Sequence, residues 1–498
     1  MKKQISRKFE QWSKKDVAKV SSIYVVNIIV MFALYLFLEF VNGGFSVQHV
    51  VNNIYNQPLI FLNFFILVIA VAFFMAICFF VTDRNFLRSA LNSEMLFLIM
   101  EVSIVICFLT SKYIHPYFSP FAFAGILTLY LTNARISLFA NVIFSYLFIV
   151  FFTFLGLNEN FLVELQQSIL FFVINLATGS LATLLLNGVY SRLKLMLWSF
   201  VISLPSVVGV VLSAFSYGWD NVIVPFVSAG FSGPIAVSVF FVFLPIYEAL
   251  FKKVSCFKYS ELTDHKSKFI SKMIMEAPGT FNHSIIVSNI AEACATAIGE
   301  DALLARTCAY YHDIGKIRRP EYFGENQTDG INPHDEITPE LSANIIRSHT
   351  KDGHDLLIKS RIPKEIADVC IEHHGTSAIL YFYDKAKKFT DGEVDIAQFS
   401  YPGPKPRSKV AAIIMIADSA EAATRTLTDR SIDKVSEVVR RLVSDKMKQG
   451  QFDDCEITLK ELSIIINTVI NSLTGVYHRR VKYPTVSLEG VDNDKSKA

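Results

Sequence analysis

Eight long apolar blocks occupy the first half of this 498-residue chain, which is 52% hydrophobic and contains 43 Phe. A spanning helix needs about 20 largely apolar residues, because backbone polar groups in hydrocarbon must find partners within the protein itself. The blocks predict a polytopic helical membrane domain with about eight spans. The fourth block is short, and if it does not span, the remaining seven spans would place the two ends of the domain on opposite sides of the membrane. The blocks lie at residues 22–41, 59–82, 93–110, 117–132, 136–156, 168–190, 195–216 and 222–248.

Lysine and arginine residues in the loops set the orientation, since they stay on the cytoplasmic side. The first 15 residues hold six of them. Alternate loops hold Arg84, Arg88, Arg135, Arg192 and Lys194, whereas the intervening loops hold only Lys112. Eight spans with both termini in the cytoplasm fit every loop. We therefore predict a multi-pass protein of the cell membrane, with residues 1–21 as a cytosolic basic tail and residues 22–41 as an uncleaved N-terminal anchor.

The second half of the chain has the composition of a soluble domain. Residues 251–498 hold 34 of the 47 Lys and Arg and 35 of the 45 Asp and Glu. Apolar residues recur there at three- and four-residue spacing, which predicts an all-α fold. Thr338 can cap a helix that Pro339 begins, Pro363 starts a second helix that Gly375 ends, and residues 408–425 form a third, mostly apolar helix.

Histidine is concentrated in this half, where seven of the 11 His lie between residues 283 and 374. Two pairs stand out: His312 beside Asp313, and His373 beside His374. Neutral imidazole and carboxylate together suit divalent ions such as Mn, Fe or Zn. Adjacent helical residues point about 100 degrees apart. The arrangement that uses both members of the first pair is therefore an aspartate that bridges two ions while its histidine neighbour binds one.

The order His283, His312, Asp313, His349, His373, His374, Asp418 resembles the HD phosphohydrolase superfamily, and "HDIGK" is its HDIG variant. The stretches "FNHS", "ENQ", "NPHD", "HHGTS", "YPGPKP" and "IADSAEAA", placed after a multi-spanning region, resemble the 7TM-HD cyclic di-AMP phosphodiesterases of the PgpH type. The resemblance covers residue 59 to about residue 484. It implies an all-α cytosolic HD domain with two divalent metal ions, Mn or Fe.

The resemblance also implies the ligand set. His283, His312, Asp313 and Asp418 would hold one ion, and Asp313 would bridge to a second ion. That second ion would be held by His349 and by one or both of His373 and His374. Two ions about 3.5–4 Å apart can activate a water and stabilise charge on phosphoryl oxygens, so no protein nucleophile is required.

The reaction implied is the hydrolysis of cyclic di-AMP to pApA, in second-messenger signalling. Asp313 and Lys316 are the expected catalytic residues, with Lys316 placed to contact a phosphate or the leaving oxygen. Other polar residues in motifs similar to those of the family are expected to bind substrate with Lys316: Asn326, His334, Thr376, Ser377 and Arg425.

The predicted domain organisation follows from the blocks and the resemblance. Residues 59–248 form a seven-helix transmembrane domain, residues 249–282 a connector, residues 283–484 the HD domain and residues 485–498 a disordered tail. Members of the family carry a large extracytoplasmic domain after the first span. In this chain, residues 42–58 form only a short external loop at that position.

Three alternatives remain open at this point. Cyclic di-GMP or another nucleotide would keep the enzyme class, although the Gly-Tyr-Pro segment of HD-GYP enzymes is missing after the paired histidines. A non-catalytic nucleotide-sensing receptor is the second alternative, and a transporter is the third. Net charge near zero argues against nucleic-acid polymers as partners. Membrane lipid and a second copy of the chain, in a homodimer, are the other expected partners.

Overall fold

The computed structural model describes residues 14–155, 161–218, 220–327, 332–389 and 393–476. Chain contacts divide it into two compact units, Met1–Cys256 and Phe257–Ala498. Both units are helical, and the described residues contain no β-strand, only an isolated bridge between Ala378 and Ser400. The predicted all-α class is confirmed. The predicted tail at residues 485–498 and the first 13 residues of the predicted basic tail lie outside the described residues.

The membrane unit is built from eleven described helices, numbered here in chain order. They are α1 (Lys14–Asn42), α2 (Val47–Asn56), α3 (Pro58–Thr82), α4 (Arg84–Arg88), α5 (Ala90–Tyr113), α6 (Phe123–Leu131), α7 (Ala134–Phe154), α8 (Phe161–Leu186), α9 (Arg192–Ile202), α10 (Leu204–Tyr217) and α11 (Ile223–Phe251).

Seven of the predicted spans correspond to helices long and apolar enough to cross a membrane, with α9 and α10 forming one continuous span. The fourth is different, because the apolar segment Pro116–Leu131 contains only a 3₁₀ turn and the nine-residue helix α6. Nine helical residues extend about 14 Å, which is less than half of the hydrocarbon thickness. Pro116 and Pro120 lack the backbone N–H that a continuous helix would use.

The fourth segment nevertheless joins the two ends of the membrane unit. At its start, Tyr117 Oη lies 2.8 Å from Ser213 Oγ near the end of α10. At its end, Tyr130 Oη donates to the Val189 carbonyl, 2.5 Å away, just before α9. Residues 116–122 therefore cover part of the distance in a less compact conformation, and α6 covers the remainder.

Contacts between helix termini define the two ends of this unit. At the basic end, Arg88 Nε lies 3.3 Å from Asp16 Oδ2, and Asp83, Asn133 and Lys253 line one cavity. At the opposite end, here called the far end, Asn42 Nδ2 donates to the Leu155 carbonyl and Lys112 Nζ donates to the Val41 carbonyl. Helices α1, α5 and α7 thus all run from the basic end to the far end.

The second unit contains ten described α-helices. They are α12 (Cys256–Leu262), α13 (Lys268–Glu276), α14 (Pro278–Ile298), α15 (Ala302–Tyr311), α16 (Pro339–Lys359), α17 (Lys364–Glu372), α18 (Leu380–Phe389), α19 (Lys409–Arg425), α20 (Ile432–Lys448) and α21 (Leu459–Val476).

The predicted helix starts in this unit are present. The Thr338 side chain accepts from Leu341 N and caps α16, and Ser408 caps α19 in the same way. Pro363 precedes α17, and Gly375 adopts a positive φ of 54° just after that helix. Each cap begins or ends a helix that carries, or is directly followed by, a histidine or aspartate of the predicted metal site.

The buried helix α19 packs against α14 and α15, and α14 also packs against α15 and α21. Residues 257–282, the larger part of the predicted connector, belong to the same compact unit. In this segment, Tyr259 Oη donates to Glu365 Oε1 at 2.8 Å, and the Leu262 carbonyl accepts from Tyr311 Oη at 2.7 Å. These two hydrogen bonds hold α12 beside α15 and α17.

Candidate metal centre

The carboxylate of Asp313 lies between two groups of histidines. Its Oδ1 is 3.2 Å from Nε2 of His349 and 3.6 Å from Nε2 of His373. Its Oδ2 is 3.3 Å from Nε2 of His312 and 3.8 Å from Nε2 of His283. One carboxylate thus faces both groups, which is the bridging position that its place beside His312 predicts.

Five helices supply the ligand atoms. His283 lies in α14, His312 and Asp313 follow α15, His349 lies in α16, His373 and His374 follow α17, and Asp418 lies in α19. Two sets of ligand atoms each lie within 4.8 Å of one another. One set is His283, His312 and Asp313, and the other is Asp313, His349, His373 and His374. Asp418 joins the first set, because its Oδ1 is 3.1 Å from Nε2 of His283.

The protonation of three buried histidines fits cation binding. Nδ1 of His312 lies 2.7 Å from the Ala309 carbonyl oxygen. In the same way, Nδ1 of His349 lies 2.6 Å from the Ile346 carbonyl oxygen, and Nδ1 of His373 lies 3.0 Å from that of Val369. A carbonyl only accepts, so Nδ1 carries the proton and Nε2 presents its lone pair. All three Nε2 atoms are buried and make no hydrogen bond. Such unpartnered acceptors around a carboxylate form a divalent-cation ligand set.

The charge states of His373, His374 and Asp313 support the same conclusion. Burial lowers the pKa of His373, and burial together with His373 holds the pKa of His374 well below its usual range. Both rings are therefore neutral at neutral pH. Burial raises the pKa of the Asp313 carboxyl, but the Lys316 ammonium, 2.6 Å from Oδ2, helps to hold it well below its usual range. The bridging group is therefore an ionised carboxylate.

His283 has a second carboxylate behind it that sequence reasoning missed. Nδ1 of His283 lies 2.7 Å from Oε2 of Glu421, whose side chain is fully buried. Burial lowers the pKa of His283, but hydrogen bonds to Asp418 and Glu421 raise it to about 10. Glu421 lies three residues after Asp418 in α19, so both carboxylates face the same ring. The sequence signals for Glu421 were that i, i+3 spacing and its place in the motif "IADSAEAA".

Lys316 is paired with two carboxylates. Its Nζ lies 2.6 Å from Oδ2 of Asp313 and 2.8 Å from Oε1 of Glu325, and it lies over the Phe323 ring. Although burial lowers the pKa of Lys316, these two charges raise it. Glu325 stands beside the predicted Asn326 in "ENQ" and was also missed. The lysine is therefore held against the bridging aspartate.

The glycine of "HDIGK" allows a close backbone approach. A Cβ placed on Gly315 would lie 2.0 Å from the His349 carbonyl oxygen and 2.6 Å from Gly353 N. No real Cβ tolerates such distances to backbone atoms, so only glycine fits. Gly315 thereby lets the 3₁₀ helix Ile314–Arg318 lie against α16, next to His349.

A cavity of about 300 Å³ opens over the centre. The predicted residues Lys316 and Arg425 line it, together with His283, His349, His374 and Asp418. Tyr401, from the "YPGPKP" segment, also lines it, and its ring stacks on His374 with centroids 4.2 Å apart. The cavity thus places Lys316, Arg425 and an aromatic ring beside the ligand atoms, and Glu325, the partner of Lys316, also lines it.

Four residues predicted to bind substrate are absent from the lining of this cavity. Asn326 braces the start of α14, since its Oδ1 accepts from Thr280 N at 3.1 Å. Nε2 of His334 lies 2.9 Å from the Tyr322 carbonyl, and the His334 side chain is buried. Thr376 N donates to the Gln451 side chain at 3.0 Å, and Ser377 Oγ is buried without a hydrogen bond. The structure gives the first three a bracing role.

Comparison with known families matches both units. Residues 58–255 match the family described as 7TM receptor with intracellular HD hydrolase, and residues 280–423 match the HD domain. The matched membrane segment contains the spans that follow α1, namely six long spans and the composite fourth segment. These seven apolar segments agree in number with the family's description.

The chain is similar to two curated proteins described as Cyclic-di-AMP phosphodiesterase PgpH. It is 46% identical over 241 residues to the protein of Listeria monocytogenes serotype 1/2a (strain 10403S), and this match covers 48% of this chain and 33% of the relative. It is 45% identical over 241 residues to the protein of Bacillus subtilis (strain 168), and this match covers 48% of this chain and 34% of the relative. The chain therefore spans about a third of the length of these relatives.

A solved structure of part of such a protein is also similar. It is the crystal structure of the L. monocytogenes phosphodiesterase PgpH HD domain in complex with Cyclic-di-AMP. It is 48% identical and covers 43% of this chain and 99% of the solved chain, with a TM-score of 0.41.

Proposed function

We propose that this chain is a membrane-bound, metal-dependent phosphodiesterase that hydrolyses cyclic di-AMP to pApA. The proposal starts from two matches: residues 58–255 match the 7TM receptor family with intracellular HD hydrolase, and residues 280–423 match the HD domain. The observation that carries the proposal is the position of Asp313, whose two carboxylate oxygens face different sets of histidine Nε2 atoms. The names of the two PgpH relatives support the choice of substrate.

The proposed centre holds two divalent ions, Mn or Fe. His283, His312 and Asp418 would hold the first ion with Oδ2 of Asp313. His349, His373 and His374 would hold the second ion with Oδ1 of Asp313. When bound, such a pair supplies an activated water nucleophile and neutralises charge on the phosphoryl oxygens.

Side chains of the cavity would position the dinucleotide. The Lys316 ammonium and the Arg425 guanidinium face the cavity and would contact the phosphate oxygens. The Tyr401 ring would offer a stacking surface for an adenine base. Water adds its oxygen to phosphorus, the bond from phosphorus to the ribose 3′ oxygen breaks, and that oxygen takes a proton. The product is a linear dinucleotide with a 5′ phosphate.

We place the protein in the cell membrane as a multi-pass chain with its HD domain in the cytoplasm. The excess of Lys and Arg at the basic end of the membrane unit supports this orientation. The same orientation gives the catalytic cavity access to a cytoplasmic nucleotide. Lipid would surround the exposed apolar faces of α3 and α11.

The test is turnover by the full chain in detergent, loaded with Mn and offered cyclic di-AMP, cyclic di-GMP or a deoxynucleoside triphosphate. We expect preferential conversion of cyclic di-AMP to pApA. Asp313→Asn should abolish it, whereas Asp335→Asn, at an exposed carboxylate, should not. Preferential turnover of either other substrate would replace the proposed substrate, and a folded, metal-loaded chain inert towards all three would indicate a binding role.

A further inference from the structure

A second cluster of potential ligand atoms lies at the far end of the membrane unit. It consists of Glu39 near the end of α1 and of His49 and Asn53 in α2. Oε1 of Glu39 is 3.2 Å from Nε2 of His49 and 2.5 Å from Nδ2 of Asn53. The amide nitrogen of Asn53 is in turn 3.0 Å from Nε2 of His49. Three polar atoms therefore form a closed triangle.

The turn between α1 and α2 brings these side chains together. His49 and Asn53 are four residues apart and share one face of α2, whose first turn is capped by Ser46. Gly44 takes a φ of +71° in the turn. A Cβ at Gly43 would lie 2.3 Å from the His49 ring, so only glycine leaves room for this ring beside α1.

Hydrogen bonds do not satisfy all three contacts of the triangle. If Nε2 of His49 carries a proton and donates to Glu39, it has no lone pair to accept from Asn53. If Nε2 instead accepts from Asn53, it carries no proton and faces the ionised Glu39 carboxylate. Neither of these two groups can then donate a hydrogen bond to the other. One contact is unfavourable in either tautomer. A cation at the centre of the triangle would make all three groups acceptors of one positive charge.

The burial of Glu39 gives a second, independent indication of a ligand. Glu39 is 5% exposed, and its second carboxylate oxygen, Oε2, is buried with no hydrogen-bond partner. Lys112 interacts with it only at longer range, since its Nζ donates to the Val41 carbonyl and no ion pair joins these two described residues. An ionised carboxylate buried in this way needs a positive partner.

We propose that Glu39, His49 and Asn53 bind one divalent transition-metal ion, with Zn²⁺ as the representative of the class. Nε2 of His49 and the Glu39 carboxylate are ordinary ligands of such ions. A half turn of the Asn53 amide places Oδ1 where Nδ2 lies and supplies the third ligand. Water would complete the coordination, because the His49 side chain is 40% exposed and opens the site to solvent. The bound ion would join α2 to α1.

The experiment measures Zn²⁺ bound per chain, by equilibrium dialysis and elemental analysis of the full chain in detergent after chelator treatment. Wild type should bind one equivalent more than either Glu39→Gln or His49→Ala. Asn52→Ala, which changes the exposed face of α2, should match wild type. Zn²⁺ should also raise the melting temperature of wild type more than that of the two site variants.

Equal zinc content in all four proteins would overturn the proposal. In that case a protonated Glu39 is the simpler account, and Glu39→Gln should melt at the wild-type temperature with or without zinc. His49→Ala alters a partly exposed ring and provides the test if Glu39→Gln does not fold. The comparison uses differences between variants, so it is independent of whether the HD domain proves to hydrolyse cyclic di-AMP.

Discussion

Nδ1 of His283 and Oε2 of Glu421 are 2.7 Å apart, although 138 positions separate the two residues in the sequence. The hydrogen bond fixes the orientation of the imidazole, so that Nε2 faces Asp418 and Asp313. A carboxylate behind a ligand histidine also makes that ring a better donor to a metal ion. We therefore propose that Glu421 positions a metal ligand without facing the cation itself.

Glu421→Gln should weaken metal binding about 10–100-fold, the usual cost of losing such a supporting group. The amide can still accept from Nδ1 through its oxygen, but it lacks the negative charge. Titration of the chelator-treated full chain with Mn, followed by activity and by bound metal, measures the effect. Glu437→Gln, on the exposed face of α20, is the matched control. Equal Mn affinity in both variants would exclude this role for Glu421.

Lys316→Met should lower both turnover and stability. The substitution keeps the length of the side chain but leaves Asp313 and Glu325 without their shared cation, and breaking a buried ion pair costs about 3–5 kcal/mol. We expect a lower melting temperature and a loss of kcat of at least about 100-fold. Lys388→Met removes an exposed lysine paired with Asp384 and should change neither quantity. A Lys316→Met enzyme with wild-type kcat would remove the lysine from the mechanism.

Gly315→Ala should destabilise the HD domain by about 1–3 kcal/mol, the usual cost of overpacking. The added methyl group would meet backbone atoms of α16, which cannot move away as a flexible side chain could. The shift should displace His349 and reduce metal affinity as well. Gly324→Ala is the control, since nothing lies within 4 Å of its Cβ position. Thermal unfolding of the two variants gives the comparison, and equal melting temperatures would argue against the tight contact.

Removal of metal should lower the melting temperature of the HD domain. Without a cation, the buried Nε2 atoms of His312, His349 and His373 have no partner, and a ligand that binds only the folded state stabilises it by mass action. Thermal unfolding with EDTA and then with excess Mn measures the change. Asp313→Asn should respond little to either treatment. A wild-type melting temperature that changes neither with EDTA nor with excess Mn would contradict a metal centre in this domain.

Sequence reasoning predicted what local patterns encode. The cap at Thr338 and the helix at residues 408–425 depend on residues that are neighbours in the sequence. The structure also brings together all seven ligands predicted from the order of the histidines and aspartates. It could not predict Glu421 or Glu325, because their partners are His283 and Lys316 and those contacts exist only in the folded chain. A hydropathy pattern also could not show that residues 116–122 are not a regular helix, an irregularity that Pro116 and Pro120 explain.

The fourth segment, Pro116–Leu131, decides whether the number of membrane crossings is odd or even. Counting only long helices gives seven crossings, an odd number, which would put the start of α1 and the exit from α11 in different compartments. Adding the segment between Tyr117 and Tyr130 makes the number even, as the shared position of Asp16, Arg88 and Lys253 at the basic end requires. In the orientation proposed above, the chain leaves α11 on the side of the positively charged loops. If that orientation holds, a nucleotide made in the cytoplasm would reach the proposed cavity without having to cross the bilayer.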